Sequence, residues 1–576
     1  MGKKKPSSPP DRKSDPRQPS ADNGDKRWTL FFWIGVVLSF ALVVGRALVL
    51  LRIYTVWDDA YIFLRYADNL MASGHVAWNP GAEPTYGLTS MLYLTVVVPM
   101  RWLIPHNPTL AVVLSSFTSG LIFLIMLIAV LHREVGDTVL GKILILLVLF
   151  SLVRANENLM IHFMSGMDTT FALAYLTLYL GVLFWQERSA SPRAAIVMGL
   201  WGGLAFWVRP DLCLFTGLTP AAMFLLNPAP KPRRRALLIL GLTVALTLLL
   251  VLVSFLYLGS PLPLPFYCKG LDRYGPEIEA RYQHIPLQEL LTFVGNYWHF
   301  FLAIGASLAL TPKAWLARTS AAATGLLAAT GLFLAYYLFF VLQIMYFHAR
   351  FYYPALPALI ILALCSLQHL QRSWEAKDLV VAQVPASVWK AVLVVMFGSL
   401  IGPAINIVKD FSADTVIGYK DFSETAATDR WAWLHMMRDQ PELVNNAWFQ
   451  LAQISALPDD LVIATTEIGH VAAMNPHKTV VDLSGLNDTA LAHHGFDPEA
   501  LLRQYHPDFI YMPHSHYIQM NQQLENSPAF KDNYYFVPKD VIHRDWGVAL
   551  RRDSKYLKQM QDIISAGVTT TKIVWE

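Results

Sequence analysis

Apolar residues in this chain form long blocks separated by short polar segments. Runs of about 20 apolar residues match the thickness of a bilayer core. The pattern therefore predicts eleven transmembrane helices in a polytopic bundle. The predicted spans lie near residues 28–51, 109–132, 139–154, 167–186, 194–208, 212–226, 235–258, 290–310, 322–343, 352–370 and 388–408. Segment 88–104 is also apolar, but it is short and ends at Arg101, so we expect it to be re-entrant or to lie against the bundle.

Charge placement predicts the orientation of the bundle. Lys and Arg concentrate in the short loops 132–138, 187–193, 228–235, 313–318 and 371–377, which indicates the cytoplasmic side. Residues 1–27 are rich in Pro, Ser and basic residues, and they are predicted to form a disordered cytoplasmic tail. The transmembrane module is then 28–408. Its first outer loop, 53–87, faces away from the cytoplasm together with 155–167, 259–289 and 344–351.

The C-terminal region, 409–576, has the composition of a soluble domain. Short runs 461–465, 480–483 and 509–512 are typical of strands, and helical stretches lie between them. The fold class predicted is mainly α, a transmembrane helix bundle that carries a C-terminal extracytoplasmic α/β domain.

Composition excludes several classes of function. The chain is 54% hydrophobic and only 15% charged, and its net charge of +3 is too small to indicate a nucleic-acid partner. Its three cysteines lie in or beside apolar runs, which excludes a disulfide framework and gives no metal-ligand spacing.

An acidic pair directly follows the first predicted span. Asp58 and Asp59 open a loop that runs from Trp57 to Ser90. Paired carboxylates can serve as a general base and as acceptors for sugar hydroxyls. The alternative is that the two aspartates cap the helix predicted at 60–72.

Charged residues also interrupt apolar segments further along the chain. Arg209 and Asp211 lie within one such stretch, Lys269 lies beside a Pro-rich loop, and Arg350 lies between two spans. Ionisable groups there generally face a cavity, pair with each other or bind substrate. Basic residues near one membrane face suit a phosphate-bearing lipid, whereas interfacial positions or a structural Arg–Asp pair would be the alternative.

The loop from Trp57 to Ser90 resembles the first outer loop of the GT-C membrane glycosyltransferases, and most of all the branch that includes arabinofuranosyltransferases of actinobacterial cell-wall synthesis. The matching residues are Asp58-Asp59-Ala60-Tyr61-Ile62, Arg65-Tyr66-Ala67, Asn69-Leu70, Gly74, Asn79-Pro80-Gly81, Gly87 and Thr89-Ser90. The sequence departs at Tyr86, where the family usually has Glu. Further elements resemble the family in the same order: Ser165-Gly166-Met167-Asp168-Thr169, Arg209-Pro210-Asp211, Gly259 to Lys269, and Arg350-Phe351 with Pro354 and Pro357.

The resemblance implies a transferase that moves one sugar, arabinofuranose in the most similar branch, from a polyprenyl-phosphate donor to an extracytoplasmic glycan or protein acceptor. Asp58 would be the general base and Asp59 would orient hydroxyls. Donor phosphate would bind to Arg209, Lys269, Arg350 and, more weakly, Arg65. Further substrate contacts are expected from Tyr61, Tyr86, Thr89, Asp168, Asp211 and His348.

Several points stay open at this stage. Some GT-C enzymes use a divalent cation, and Asp58, Asp59 and Asp168 could supply oxygen ligands, although no metal site is assigned. The resemblance implies a multi-pass protein of a bacterial cytoplasmic membrane, in contact with membrane lipid. The alternatives are a GT-C transferase of another sugar such as mannose, a transporter or flippase of lipid-linked sugars, and a membrane scaffold in which the acidic pair is silent.

Overall fold

The fold was analysed in a computed structural model. It describes residues 21–53, 57–154, 157–189, 191–270, 276–310, 320–341, 343, 347–375, 391, 394–395, 397–412, 451–514, 516–542, 547–567 and 573. The predicted tail 1–27 overlaps this range only at its end, where a helix already begins at Ala21.

Helices make up most of the described N-terminal region. Six are long and apolar enough to cross a membrane: Lys26–Leu51, Pro108–Val135, Pro230–Leu258, Ala280–Leu310, Ala321–Phe339 and Tyr353–Leu370. The bent pair Val139–Val153 and Asn158–Met164 would make a seventh, if it counts as one span. Shorter apolar helices are Met91–Leu103, Thr169–Phe184, Pro192–Val208 and Pro210–Leu226. The predicted class, a mainly helical membrane bundle with a C-terminal sheet domain, is confirmed.

The outward faces of these helices are apolar. Along Pro230–Leu258, Leu248 and Leu256 are 62% and 73% exposed, and only 22% of the most apolar window is buried. Contiguous exposed apolar surface of this kind is stable against lipid tails rather than water. The chain therefore has the features of a multi-pass membrane protein.

Segment 88–104 does not form a full-length span. A 3₁₀ turn at Met91–Tyr93 leads into the helix Leu94–Leu103. At about 1.5 Å per residue, its 10 residues cover roughly half of a bilayer core. The side chain of Arg101 then donates to Asp68 in the preceding helix (2.8 Å), which fixes the segment against the loop.

The remaining elements of the N-terminal region are given by their bounds. The helices are Ala21–Ile53, Ala60–Ser73, Pro108–Val135, Val139–Arg154, Glu157–Met164, Thr169–Ser189, Pro192–Val208, Cys213–Leu226, Pro230–Leu258, Leu264–Gly270, Pro276–Tyr282, Ile285–Leu310, Ala321–Phe339, Leu356–Glu375 and Ile401–Ser412, and the other 3₁₀ turns are Pro210–Leu212, Phe347–Ala349 and Tyr353–Ala355.

The C-terminal domain (residues 451–567) is built on one mixed sheet. Its strands are β1 (Ile463–Thr465), β2 (Val480–Asp482), β3 (Phe509–Tyr511), β4 (Tyr534–Val537) and β5 (Val548–Arg551). The order is β2-β1-β3-β5-β4, with β1 parallel to β2 and β3, and β5 antiparallel to β3 and β4. The three predicted strands are the parallel core, and every residue of them is buried.

Helices surround this sheet. They are Leu451–Ser455, Ile468–Met474, Thr489–His494, Pro498–Tyr505, Ile518–Asn526, Pro528–Asn533, Lys539–Ile542 and Leu557–Gly567.

The C-terminal domain is joined to the first loop (residues 57–90) through a buried guanidinium. Arg65 is 4% exposed and lies on the helix Ala60–Ser73. It donates to the carbonyl oxygens of four residues and to one side-chain amide: Trp78 (2.6 Å), Ala472 (3.3 Å), Asn475 (3.0 Å), Lys478 (2.7 Å) and Asn79 Oδ1 (2.8 Å). A guanidinium has five N–H donors in a fixed plane, so one side chain satisfies several backbone groups of both modules.

A second set of contacts extends this interface. The indole N–H of Trp78 donates to the Val480 carbonyl oxygen (2.8 Å), and Val480 N donates to Asn79 Oδ1 (2.9 Å). The Tyr66 hydroxyl donates to Asn487 Oδ1 (3.0 Å). The first loop and strand β2 therefore form one continuous hydrogen-bonded unit, which we call the docking interface.

Substituting Arg65→Met should separate the two modules. Because several buried carbonyls lose their donor, we expect a loss of at least about 3 kcal/mol of stability. The measurement is thermal unfolding in nanodiscs, together with limited proteolysis of the C-terminal domain.

Arg503→Met is the matched control, because its side chain is 78% exposed and pairs only with Glu499 among the contacts described. Its effect should stay within about 0.5 kcal/mol. Equal melting temperatures for the two variants would contradict the role given to Arg65.

Candidate active site

A cavity of about 430 Å³ lies where the first loop, the ends of several membrane helices and the C-terminal domain meet. Its volume falls within the range of small-molecule sites. The polar residues that line it include Asp58, Asp59, Thr89, Asp168, Thr169, Arg209, Asp211, Arg350, Thr466, Glu467, Ser484 and His516. Seven of the twelve residues that the sequence assigned to the site, Asp58 among them, thus lie on one cavity.

Asp58 is held by the C-terminal domain. Its Oδ2 accepts from the backbone N–H of Gly469 (3.0 Å), and its Oδ1 accepts from that of His470 (2.8 Å) and lies 2.5 Å from His470 Nδ1. A Cβ on Gly469 would come within 2.0 Å of the Asp58 carbonyl oxygen, so only glycine allows this approach. Asp58 therefore belongs to both the cavity wall and the docking interface.

Asp59 lies one residue further on and contacts a cation. Arg350 Nη1 donates to its Oδ2 (3.1 Å), and 24% of the Asp59 side chain is exposed, against 6% for Asp58. Asp59 occupies the N-cap position of the helix Ala60–Ser73 but makes no side-chain capping hydrogen bond there. The geometry thus directs Asp59 towards Arg350 rather than towards the helix end.

Arg350 is positioned by an unusual backbone conformation. His348 and Ala349 both have φ of 57°, a left-handed conformation that costs energy for residues with a side chain. The turn is fixed because His348 Nδ1 lies 2.8 Å from Asn158 Oδ1 and Ala349 N donates to Glu289 Oε2 (2.5 Å). The Arg350 guanidinium then lies over the Trp57 ring, 5.4 Å from its centroid.

Arg209 and Asp211 form a second ion pair in the cavity. Pro210 ends the helix Pro192–Val208, and the 3₁₀ turn Pro210–Leu212 places both side chains at the break. Arg209 donates to both Asp211 oxygens (Nε–Oδ1 3.2 Å, Nη2–Oδ2 2.9 Å) and to the Tyr337 hydroxyl (3.1 Å). Tyr337 in turn donates to Asp211 Oδ2 (2.5 Å). The sequence left open whether Arg209 and Asp211 form a structural ion pair or face a binding site. In the structure they form the ion pair, and both also line the cavity.

Asp168 contributes a buried carboxylate to the same wall. It is 3% exposed and precedes the helix Thr169–Ser189, after a left-handed turn at Gly166 (φ 76°). Its Oδ2 has no hydrogen-bond partner among the described residues. A buried acceptor of this kind generally has a partner in the functional state.

Other predicted site residues lie outside the cavity lining. All the donor groups of Arg65 point into the docking interface, and burial lowers its pKa to about 9, which keeps it charged at neutral pH. Tyr61 packs against the His470 ring (5.2 Å between centroids), and Tyr86 is completely buried. His348 supports the turn before Arg350. The structure thus does not bring Arg65, Tyr61, Tyr86 or His348 to the cavity, and the side chain of Lys269 lies outside the described residues.

Sequence reasoning did not identify two further groups of lining residues. Tyr336, Tyr337 and Phe340 come from the helix Ala321–Phe339 and its end, where an apolar span gave no signal apart from its paired tyrosines. The C-terminal domain adds Thr466, Glu467, Ser484, Leu486, His516 and Tyr517. These residues reach the cavity only because the C-terminal domain docks against the first loop, which lies more than 400 residues earlier in the sequence. A single sequence gives no signal for such a long-range contact.

Two neighbouring histidines belong to the C-terminal domain, and one of them, His516, lines the cavity. His516 Nε2 lies 3.0 Å from the Tyr282 hydroxyl, and its ring is 4.2 Å from that of His514. Burial, and then the neighbouring His516, lower the pKa of His514 to about 4. Burial also lowers the pKa of His516.

No group of three or more metal-ligating side chains (His, Cys, Asp or Glu) is close enough to hold an ion among the residues that the structure describes. The oxygens of Asp58 are hydrogen-bonded to Gly469 and His470, and Asp59 contacts Arg350. These residues do not form a preorganised cation site.

Acid should destabilise the C-terminal domain partly through His514. Below pH 6.5 the unfolded chain binds a proton that the folded domain resists until about pH 4, so stability falls as the pH drops through that window. Because solvent reaches part of the ring, the contribution should be on the order of 1–2 kcal/mol. The measurement is thermal unfolding between pH 7 and 4.5 for the wild type and His514→Gln.

His477→Gln is the control, because His477 is exposed on the same domain. The His514→Gln variant should lose less stability on acidification than the wild type and the control. Identical pH dependence in all three proteins would contradict the assignment.

Comparisons with known proteins give a limited result. Residues 436–559 match a family described as a domain of unknown function, DUF8728. No curated protein matches the chain. Among solved structures, the chain is similar to the crystal structure of ArnT from Cupriavidus metallidurans bound to undecaprenyl phosphate, with 14% identity, a TM-score of 0.49, and coverage of 93% of this chain and 99% of that one.

Proposed function

We propose that this protein is a membrane glycosyltransferase of GT-C type that transfers a sugar from a polyprenyl-phosphate donor to an extracytoplasmic acceptor. The observation that carries this proposal is the cavity in which Arg209 and Arg350 lie together with the carboxylates of Asp59 and Asp168. The family-like motifs of the sequence supply most of these residues, and their side chains line the same cavity.

Arg209 and Arg350 are the proposed phosphate ligands. Guanidinium groups bind phosphate oxygens through paired, charge-assisted hydrogen bonds. Both arginines currently contact carboxylates, Asp211 and Asp59 respectively. A donor phosphate at Arg350 would compete with Asp59 for the same guanidinium and release that carboxylate.

Asp59 is the proposed general base. The oxygens of Asp58, the residue favoured from sequence, accept from two backbone N–H groups and lie against His470, so its contacts favour a positioning role. Asp59 has more exposed side-chain surface in the cavity and is the carboxylate that phosphate binding would release. Asp168, whose Oδ2 has no hydrogen-bond partner in the part of the chain that the structure describes, is proposed to accept a hydrogen bond from a sugar hydroxyl.

The proposed reaction is one displacement. An acceptor hydroxyl oxygen attacks the anomeric carbon, its proton passes to Asp59, and the bond between that carbon and the phosphate oxygen breaks. The electron pair of the broken bond stays on polyprenyl phosphate. Arg209 and Arg350 would stabilise the charge that develops there, because fixed cations in a site of low dielectric require little reorganisation.

An apolar side of the cavity suits the lipid part of such a donor. Pro265, Phe266, Phe340 and Val341 contribute to the lining, and Phe340 is 79% exposed at the end of a membrane helix. Polyprenyl chains partition into apolar surroundings, so this side would hold the isoprenoid units next to the phosphate.

Arabinofuranose is the sugar proposed first, because the first loop most resembles that branch. Mannose and other sugars on the same lipid are the alternatives. The proposed location is a bacterial cytoplasmic membrane, with the cavity and the C-terminal domain on the extracytoplasmic side. The basic loops 187–193 and 228–235 support this orientation, because they predict that the opposite face of the bundle is cytoplasmic.

Asp59→Asn should abolish sugar transfer without unfolding the protein. Loss of a general base typically lowers kcat by about 10²–10⁴-fold. The assay uses purified protein in nanodiscs with a panel of polyprenyl-phosphate sugars and cell-envelope glycans as acceptors, and melting temperature is recorded in parallel. Asp562→Asn, on an exposed helix face, is the control that should match the wild type.

Asp58→Asn distinguishes the two aspartates. It should lower the melting temperature, because Asp58 connects the first loop to the C-terminal domain. A folded Asp58→Asn variant without activity, beside an active Asp59→Asn variant, would reverse the roles.

Movement of intact donor lipid across the membrane, with no sugar transferred by the wild type, would favour a flippase instead.

Arg350→Gln should weaken the binding of polyprenyl phosphate. Loss of a charge-assisted pair to phosphate predicts at least about a tenfold increase in Kd. The measurement is equilibrium binding of undecaprenyl phosphate to the protein in nanodiscs, and Arg503→Gln is the control. An unchanged Kd in the folded Arg350→Gln variant would remove Arg350 from the phosphate site.

A further inference from the structure

A second cavity, of about 370 Å³, lies between the first loop and the C-terminal domain. It shares two segments with the first cavity. The segments 82–89 and 480–490 contribute different residues to the two cavities, with Gly87, Ser484 and Leu486 in the first and Thr85, Asp482 and Asn487 in the second. The two cavities are therefore neighbours, and these two segments form the wall between them.

Close packing fixes this wall. A Cβ on Gly87 would lie 2.0 Å from Asn487 Oδ1 and 2.4 Å from the Tyr66 hydroxyl. Asn487 is held in turn, because its Nδ2 donates to Asp482 Oδ2 (2.9 Å). The second cavity is thus a preformed feature of the docking interface.

The lining of the second cavity carries hydrogen-bonding groups that the fold does not use. Asn79 accepts from Arg65 and Val480 through Oδ1, which leaves its amide nitrogen for a ligand. Glu83 and Gln504 are exposed, and neither side chain forms a hydrogen bond or ion pair among the described residues. Donors and acceptors are therefore available together on one side of the cavity.

An aromatic ring is fixed at the same place. The Tyr505 hydroxyl donates to Asp488 Oδ2 (2.5 Å), while Asp488 Oδ1 accepts from Leu491 N (3.0 Å). The Tyr505 ring is half-buried, and Trp78 also contributes to the lining. A rigid aromatic surface beside amide and carboxylate groups suits a ligand with C–H faces and hydroxyl edges.

Charge separates this cavity from the first one. Its described lining includes the acidic residues Glu83, Asp482 and Asp488 and no basic residue, whereas the first cavity holds Arg209 and Arg350. Phosphate and other anions would be repelled here. A neutral polyhydroxylated ligand can bind through the amide, carboxylate and aromatic groups without that penalty.

We propose that the second cavity is a carbohydrate-binding subsite for a neutral glycan, separate from the donor cavity. In the proposed function, on which this step rests, the ligand is the acceptor glycan, held through sugar units away from the reacting hydroxyl. Such remote contacts lower the cost of orienting the reactive end.

The test is direct binding of oligosaccharides to the full-length protein in nanodiscs, without donor. The neutral probes are tetrasaccharides of arabinofuranose and of mannose, and the anionic probe is tetragalacturonate. Binding is followed by saturation-transfer NMR and calorimetry. Ala490→Trp places a large ring in the cavity from an exposed helix position, and Gln523→Trp adds the same ring on an exposed helix elsewhere in the domain.

At least one neutral probe should bind, with at least about a tenfold weaker affinity in Ala490→Trp and an unchanged affinity in Gln523→Trp. No binding of either neutral probe, equal binding to Ala490→Trp, or stronger binding of tetragalacturonate would each overturn the proposal. The binding test uses no donor, so its result does not depend on sugar transfer. A protein that binds the glycan here but transfers no sugar in the transfer assay would refute the proposed reaction while leaving this subsite in place.

Discussion

The site depends on a buried guanidinium that joins two parts of the chain over 400 residues apart. Arg65 donates to carbonyl oxygens of the C-terminal domain and to groups of the first loop in one plane. Those carbonyls would be costly to bury without a donor, and the charge of Arg65 would be costly without acceptors. The two modules therefore satisfy each other, and Asp58 completes the junction through Gly469 and His470.

This docking explains how a membrane bundle acquires a cavity lined by charged side chains. The bundle supplies Arg209, Asp211 and Asp168 at helix breaks, and the strained turn at His348 and Ala349 supplies Arg350. The C-terminal domain supplies the opposite wall. Burial of these side chains lowers the effective dielectric around them, so the paired charges act more strongly on a ligand than they would in open solvent.

Much of the architecture could be predicted from the sequence because a bilayer demands long apolar segments. The parallel strands β1, β2 and β3 were also visible, since each is a short, fully buried run. Strands β4 and β5 were not predicted, because Tyr534–Val537 and Val548–Arg551 are only partly buried and lie beside charged residues. For short segments of this kind the tertiary pairing, rather than the local pattern, decides the structure.

The site was only partly predictable for a related reason. Motif residues marked Asp58, Asp59, Arg209, Asp211 and Arg350, and the structure brings these together. The same motifs could not distinguish a ligand contact from a docking contact, so Arg65 and Tyr61 were assigned to substrate although they pack at the interface. Tyr337, which holds Asp211 and Arg209, looks like one more aromatic residue in an apolar helix until its partners are known.

The central claim is that the first cavity binds the phosphate of a polyprenyl lipid and thereby releases Asp59. The most direct measurement is a cryo-electron microscopy structure of the protein in nanodiscs with undecaprenyl phosphate. The account predicts phosphate density within hydrogen-bonding distance of Arg209 and Arg350, with the Asp59–Arg350 pair broken. Lipid phosphate bound elsewhere, or bound while Asp59 still contacts Arg350, would contradict it.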